Sequence, residues 1–307
     1  MSRVIVTKYK GTGAGKFYDE KIYRLLLDTV FKYIASVYPE KYLQQLFPGG
    51  AVGMKTNCLT VFNPTMKPLA DALSQAILDM TSLKENDIII WERTGRELKN
   101  CGYTLNISAR GRRCLGTDAG GVGYSDEFYN SGSVSSLVSR VLTSMVDHSI
   151  NLPVLKDHSI AGLSAGLKNM YGAVHNPNKY HGRNCDPYAA HVNNLEPIRD
   201  KHRLTVIDAV RVQYDNGPGF DNDSLEWHNG LIVSEDPVAA DRIGLEIVEY
   251  LRRKNNLPPL EKVGRKVAYL DSAQELKLGI SDLSLIDLKV ITIDDYGNVI
   301  AEGSELF

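Results

Sequence analysis

The chain has 307 residues, of which 43% are hydrophobic and 23% are charged, so it has ample apolar material for the core of a globular protein. Its 35 basic and 37 acidic side chains nearly cancel, which gives no indication of a nucleic-acid partner. No apolar run has the length of a membrane span and the four cysteines form no C-x-x-C pair, so we expect neither a membrane partner nor an iron–sulfur cluster held by this chain.

Hydrophobic periodicity predicts strands that alternate with helices along the first part of the chain. The predicted strands here are residues 3–9, 50–57, 87–93 and 109–118. The predicted helices are residues 19–37, 66–82 and 95–103. A Gly/Ser-rich loop is expected at 116–136, followed by a helix at 136–148.

The alternation continues to the C-terminal end. The remaining predicted strands are residues 150–156, 203–210, 228–234 and 290–294. A long helix is expected at 236–255, because Ser234 or Asp236 can cap it, Pro237 suits its first turn and its last turn is cationic. The pattern predicts one α/β domain over residues 1–307, with a mostly parallel sheet covered by helices on both faces.

Histidine is unevenly distributed along the chain. Five of the seven histidines lie between residues 158 and 202, and four of these five fall in a long predicted loop at 175–203. This loop also contains Tyr180 and Tyr188, a composition that is untypical of disorder. We therefore expect an ordered active-site insert or lid.

Polar side chains follow four of the predicted strands at their C-terminal ends. They are Lys55 and Asn57, Glu92 and Arg93, Lys156 to His158, and Asp208. Ligands of open parallel sheets bind outside the carboxyl ends of the strands, so the four groups favour one shared pocket. Any single one of them also fits an ordinary exposed strand end.

The residue types suggest an anionic ligand. Lys55, Lys156 and Lys168 can hold a carboxylate or phosphate, and Asn57, Glu92 and Asn169 can complete the binding site. The stretch "GLSAGLKN" at 162–169 leads into a predicted helix whose first N–H groups can bind an anion, although its glycines also fit tight helix–sheet packing. Its spacing differs from that of a phosphate-binding loop of nucleotide hydrolases.

Two kinds of chemistry are open for these residues. Lys156, His158, His181 and Asp208 are candidates for proton transfer, and a lysine desolvated in such a pocket can act as a base or nucleophile. Alternatively, His158, His181 and His191 can bind a divalent metal such as zinc, iron or nickel, with Asp157, Asp186 or Asp208 as further ligands.

The succession "VGMKTN", "IIIWER", "LPVLKDHSIAGLSAGLKNMYG", "LTVIDA" and "GLIVSEDPVAADRIG" resembles the bacterial and archaeal family called domain of unknown function 362, over roughly residues 50–245. Its most specific part runs from Lys156 to Gly172. Some members of that family carry ferredoxin-type clusters, so the resemblance implies redox partners. Other members are exported with twin-arginine leaders.

The function we expect is an enzyme that binds a small anionic substrate at the C-terminal edge of the sheet. The alternative is a non-catalytic accessory protein that docks to a redox partner, and a third interpretation is that the histidine-bearing loop stabilises a homo-oligomer. The first residues form a strand-like run without the apolar segment of a signal peptide, so we expect a cytoplasmic chain; export with a leader that is later removed stays open.

Overall fold

The computed structural model describes residues 1–37 and 42–307. The strands are β1 (Ser2–Tyr9), β2 (Val52–Lys55), β3 (Ile88–Glu92), β4 (Arg113–Gly116), β5 (Tyr129–Ser131), β6 (Val134–Ser136), β7 (His148–Asn151), β8 (Val154–His158), β9 (Gly162–Ser164), β10 (His202–Gln213), β11 (Leu225–Ser234), β12 (Ile286–Ile293) and β13 (Val299–Gly303). The α-helices are α1 (Glu20–Val37), α2 (Tyr42–Leu46), α3 (Lys67–Met80), α4 (Gly95–Asn100), α5 (Gly166–Asn169), α6 (Tyr188–Asn193), α7 (Glu196–Arg199), α8 (Pro237–Lys254) and α9 (Tyr269–Glu275).

One large sheet organises the described residues. Its strand order is β13-β12-β1-β11-β10-β7-β2-β3-β4, and β8 also pairs with β10 and carries β9 at its other side. The pairs β1–β12, β10–β7, β10–β8, β7–β2, β2–β3 and β3–β4 are parallel. The pairs β1–β11, β10–β11, β12–β13 and β8–β9 are antiparallel. The predicted α/β class with a mostly parallel sheet is confirmed.

Helices cover both faces of this sheet. On one face, apolar residues of α1 and α3 pack against Ile5, Val52 and Val206. On the other face, α8 packs against Val6 and Ile207. Because side chains of a strand alternate between its two sides, consecutive residues such as Val206 and Ile207 enter opposite cores.

The long helix α8 forms as expected. The carboxylate of Asp236 accepts hydrogen bonds from the N–H groups of Val238 and Ala239, each at 2.9 Å, and Pro237 occupies the first turn. The last turn contains Arg252, Arg253 and Lys254, which suits the negative end of the helix dipole.

The helix predicted at 136–148 is wrong over most of its length. Val134, Ser136 and Val138 are buried at alternate positions, which is the period of a strand. The first two belong to the β5–β6 hairpin, and Val138 forms an isolated bridge to Val174. Only Val141–Met145 is helical, as a single turn.

Other differences concern the boundaries and the number of elements. Predicted strand 150–156 is divided between β7 and β8, and predicted strand 203–210 extends to Gln213 as part of β10. Neither β13 nor α9 was predicted. The segment 175–203 contains short helical turns, including α6 and α7, rather than continuous loop.

Within residues 1–37 and 42–307, no helix combines the length and apolarity needed to cross a membrane. Three of the four thiols are buried, those of Cys58, Cys114 and Cys185, and Cys101 is partly exposed; all four are free in the structure.

Candidate functional site

A cavity of about 490 Å³ lies at the carboxyl ends of β2, β3 and β8. The predicted site residues that line it are Lys55, Asn57, Glu92, Lys156, His158, Lys168, Asn169 and His181. Parallel strands end at the same edge of a sheet, which is why residues distant in sequence meet here. Asp208 and His191 do not line this cavity.

Strand β8 supplies two of these side chains. Lys156 and His158 lie two residues apart and both face the cavity, whereas Asp157 points to the opposite side. There the Asp157 carboxylate pairs with the guanidinium of Arg265 at 2.6 Å and accepts a bond from the N–H of Gly217. Burial raises the pKa of Asp157 to about 6 despite these partners. Asp157 therefore ties β8 to neighbouring segments instead of contributing to the cavity.

The turn between β8 and β9 determines the chemistry of His158. Its Nδ1 accepts hydrogen bonds from the N–H groups of Ile160 at 3.1 Å and Ala161 at 3.2 Å. Burial, followed by the charge of Lys168, lowers the pKa of His158 to about 3. A neutral imidazole that accepts at Nδ1 carries its proton on Nε2. This hydrogen-bond pattern assigns His158 as a neutral donor, which is unsuited to accept a proton or bind a metal at Nε2.

The same hairpin requires Gly162. Its φ is +77°, in the left-handed region that favours glycine, and a Cβ atom here would lie 2.3 Å from the carbonyl oxygen of Arg265. Glycine therefore allows β9 to approach the segment that holds Asp157, and it keeps the β8–β9 hairpin in place.

The charge of Lys55 is compensated inside the protein. Its Nζ pairs with the buried carboxylate of Glu92 and donates to the carbonyl of Thr56 at 2.7 Å. Glu92 in turn accepts bonds from the N–H groups of Arg93 at 2.7 Å and Cys58 at 2.9 Å. The pair is thus satisfied without a ligand, and we interpret it as a fixed wall of the cavity.

Lys156 is held by a chain of amides. Its Nζ, on a side chain only 1% exposed, donates to Oδ1 of Asn57 at 3.1 Å. Asn57 donates to Asn169 at 3.1 Å, Asn169 donates to Asn151 at 2.8 Å, and Asn151 donates to the carbonyl of Gly166 at 2.7 Å. Each amide thus fixes the orientation of the next. The NH₂ group of Asn57 is used in this chain, so its oxygen faces the Nζ of Lys156 and accepts a hydrogen bond.

Lys168 has a different environment. Its Nζ lies 3.0 Å from Nε2 of His181 and 3.8 Å from the centre of the Tyr171 ring. Burial lowers the pKa of Lys168 to about 8, and burial likewise lowers that of Lys156 to about 8. In the part of the chain that the structure describes, neither lysine forms an ion pair with a carboxylate, in contrast to Lys55.

The predicted anion site at the start of α5 is occupied by the protein itself. The N–H groups of Gly166 and Leu167 donate to the two carboxylate oxygens of Asp241 on α8, at 2.6 and 2.9 Å. Burial raises the pKa of Asp241 to about 7. The Gly-rich stretch 162–169 therefore anchors α5 to α8, and its backbone is not free to receive a ligand.

The histidine cluster is only partly assembled in space. The rings of His158 and His181 lie 5.9 Å apart, centre to centre. His191 instead bonds through Nδ1 to the Ser133 hydroxyl at 2.9 Å, because α6 packs against the β5–β6 turn. The structure therefore does not bring the three expected metal ligands together, and no group of three or more ligand-type side chains suited to a metal ion occurs among the described residues.

Asp208 also lies elsewhere than expected. The sequence places it directly after the apolar run 204–207, but β10 continues five residues beyond it, to Gln213. Its carboxylate accepts a 3.0 Å bond from the Tyr23 hydroxyl of α1, and burial raises its pKa to about 6. The strand continues through the hydrophobic residues that follow Asp208. The apolar run that ends before Asp208 does not by itself predict this extension.

Sequence reasoning missed Asn151 and Tyr171. Asn151 is the last residue of β7. Its position at the end of a strand would have identified it as a candidate site residue if 150–156 had been divided into two strands. Tyr171 follows Lys168 by three residues, but a tyrosine at that spacing fits core packing equally well, and only the 3.8 Å contact identifies it.

Comparison with known proteins gives a family without an assigned activity. No curated protein matches the chain. A structural-genomics crystal structure of a Thermotoga maritima protein is similar over 69% of this chain and 57% of that chain, with 13% identity and a TM-score of 0.42. This chain therefore spans little more than half the length of the Thermotoga maritima protein. The family described as Domain of unknown function (DUF362) matches residues 52–246, more than half of the chain, which confirms the resemblance seen in the sequence. The chain is a member of the DUF362 family.

Proposed function

We propose that this protein is an enzyme whose cavity binds a small anionic substrate, a carboxylate or a phosphate. The observation that carries the proposal is the pair Lys156 and Lys168, which are 1% and 7% exposed and line one cavity. Neither has a carboxylate partner among the described residues, and a buried cation without a counter-ion is costly. A bound anion supplies the missing charge.

The neighbours of the two lysines suit this role. Lys156 is oriented by Asn57, and the assigned Nε2–H of His158 donates to an oxygen of the ligand. His181 also lines the cavity, beside Lys168, and the two groups can exchange a proton. Lys156 and His158 are thus assigned to binding, His181 to proton transfer, and Lys168 to both.

A thermal-shift titration tests the proposal. We expect acetate, sulfate or inorganic phosphate to raise the unfolding temperature, since a ligand at about a hundred times its dissociation constant adds about 2.7 kcal/mol to the stability. Lys156→Met and Lys168→Met are expected to lose the response. Lys21→Met, which removes an exposed lysine of α1, is the matched control and is expected to retain it.

The accessory-protein alternative predicts an apolar surface and no small ligand. Phe62 and Phe220 are exposed and stack with ring centres 4.8 Å apart, which supplies some apolar surface. The same titration separates the two functions. If no anion stabilises the wild-type protein, the enzyme proposal fails and the alternative is favoured.

A further inference from the structure

We propose that Lys168 is a nucleophile that forms an imine with the carbonyl carbon of a small oxo acid. The inference rests on the proposed anion site and names its substrate class. Lys156 and Lys168 are both buried, but their hydrogen-bond partners are of different kinds.

The partners of Lys156 are acceptors only. Its Nζ faces Oδ1 of Asn57 at 3.1 Å and the carbonyl oxygen of Asn63 at 3.5 Å. Because the amide chain fixes Asn57 with its oxygen toward Lys156, this site favours the ammonium form, which donates three hydrogen bonds. Lys156 is therefore suited to hold the carboxylate of a ligand.

The partner of Lys168 is a group that can either accept or donate a proton. A neutral imidazole at 3.0 Å can accept from the ammonium or donate to the free amine, so His181 permits the unprotonated form of Lys168 that attack requires. Burial favours the same form by lowering the pKa of Lys168 to about 8.

The substrate class follows from having both lysines in one cavity. An amine nucleophile needs an electrophilic carbon, and a fixed ammonium needs an anion. A small oxo acid carries a carbonyl and a carboxylate in one molecule, and the cavity of about 490 Å³ can hold it. His158 lines the same cavity as Lys156 and Lys168, so its Nε2–H can donate to a ligand that spans the two lysines.

The chemical step needs no external oxidant or reductant. The lone pair of Lys168 Nζ forms a C–N bond while the π pair of the carbonyl moves onto its oxygen. His181 first takes one proton from the Lys168 ammonium, which frees this lone pair, and delivers that proton to the carbonyl oxygen after the attack. It then takes a second proton from the nitrogen and delivers it to the same oxygen, which leaves as water while the nitrogen lone pair forms the C=N bond. Ammonium and carbonyl thus give a protonated imine and one water, and His181 is neutral at the start and at the end. The ring of Tyr171, 3.8 Å from Nζ, favours this cationic product.

Reductive trapping tests the inference. The full-length protein is incubated with pyruvate and sodium borohydride, and its mass is measured before and after proteolytic mapping. We expect one reduced pyruvate adduct per chain, located on Lys168. Lactate, which has the carboxylate but no carbonyl, is the matched ligand and is expected to give no adduct, and Lys168→Met is expected to give none with pyruvate.

The outcomes separate this inference from the proposed function. If pyruvate and acetate stabilise the protein but no adduct forms, or if the adduct maps to Lys156 or to surface lysines, the imine is refuted and the anion site stands. If no anion stabilises the protein and no adduct forms, both are refuted. An adduct confined to Lys168 supports both.

Discussion

The lysines of the cavity illustrate how neighbours decide the state of one residue type. Lys55 is paired with Glu92, Lys156 faces amide and carbonyl oxygens, and Lys168 faces an imidazole and an aromatic ring. Burial brings the pKa of Lys156 and of Lys168 to about 8, below the 10.5 of a free lysine. These two side chains therefore change charge close to physiological pH.

We expect the affinity for a non-reactive anion such as acetate to fall as the pH rises through about 8. Below that pH both lysines are already protonated, and binding needs no further proton. Above it the free protein has lost protons that the complex requires, so the affinity falls by up to about tenfold per pH unit for each lysine that must be recharged.

Isothermal titration in buffers of different ionisation enthalpy measures both the affinity and the protons taken up. Proton uptake is expected above pH 8 and not below it. An affinity that stays constant across this range would show that neither lysine holds the anion. Trapping of pyruvate is expected to show the opposite trend, because attack requires the unprotonated amine.

At the scale of elements, the hairpin of β8 and β9 and the short helix α5 hold the reactive side chains. Lys156 pairs with Ser164 and His158 with Gly162 in the hairpin, and α5 is fixed by Asp241. These elements are too short to be stable alone, so their geometry depends on tertiary contacts. Gly162 lies within this hairpin, at a point where one added methyl group meets the carbonyl of Arg265.

We expect Gly162→Ala to reduce both stability and anion binding. The left-handed φ alone costs about 1 kcal/mol, and the overlap with the Arg265 carbonyl adds about 1–3 kcal/mol and displaces His158. Gly264→Ala is the matched control, because its φ is +75° but nothing lies within 4 Å of the added Cβ.

Denaturant unfolding and the acetate titration measure the two effects. Gly264→Ala is expected to lose only the smaller amount of stability and to bind anions normally. Equal losses in the two variants would mean that the close approach at Gly162 has no energetic importance.

At the scale of the whole molecule, the sheet interleaves distant parts of the chain. β1 lies between β12 and β11, so the first strand is held by segments from the C-terminal third of the sequence. The two apolar cores share the strands of this sheet, as Val206 and Ile207 illustrate. Neither core can lose its strands without affecting the other.

We therefore expect the chain to unfold as one unit, in agreement with the single domain predicted from its sequence. Differential scanning calorimetry is expected to show one transition with a van't Hoff enthalpy close to the calorimetric enthalpy. Two resolved transitions, or a van't Hoff enthalpy well below the calorimetric one, would contradict a single domain.

Much of the fold is predictable because long elements carry a clear local signal. α1, α3 and α8 repeat apolar residues with helical spacing, and β1 and β3 are short apolar runs. The failures lie where local signals conflict, as around the helix predicted at 136–148, where buried Val134, Ser136 and Val138 follow strand spacing although the pattern that continues to 148 is helical.

The site was predictable as far as strand ends identify it. Lys55, Glu92, Lys156 and His158 meet because parallel strands end at one edge. Asp208 and His191 were expected with them, but the extension of β10 and the contact of His191 with Ser133 place them elsewhere.

The sequence by itself determined the α/β class, the family and the side chains that gather at the edge of the sheet, since these depend on periodicity and strand order. Only the tertiary structure decided the roles: Glu92 neutralises Lys55, Asp241 occupies the start of α5, and two backbone N–H groups fix the proton of His158. The physical reason is that charge and protonation depend on distance and burial, which residues far apart in the chain establish only after folding.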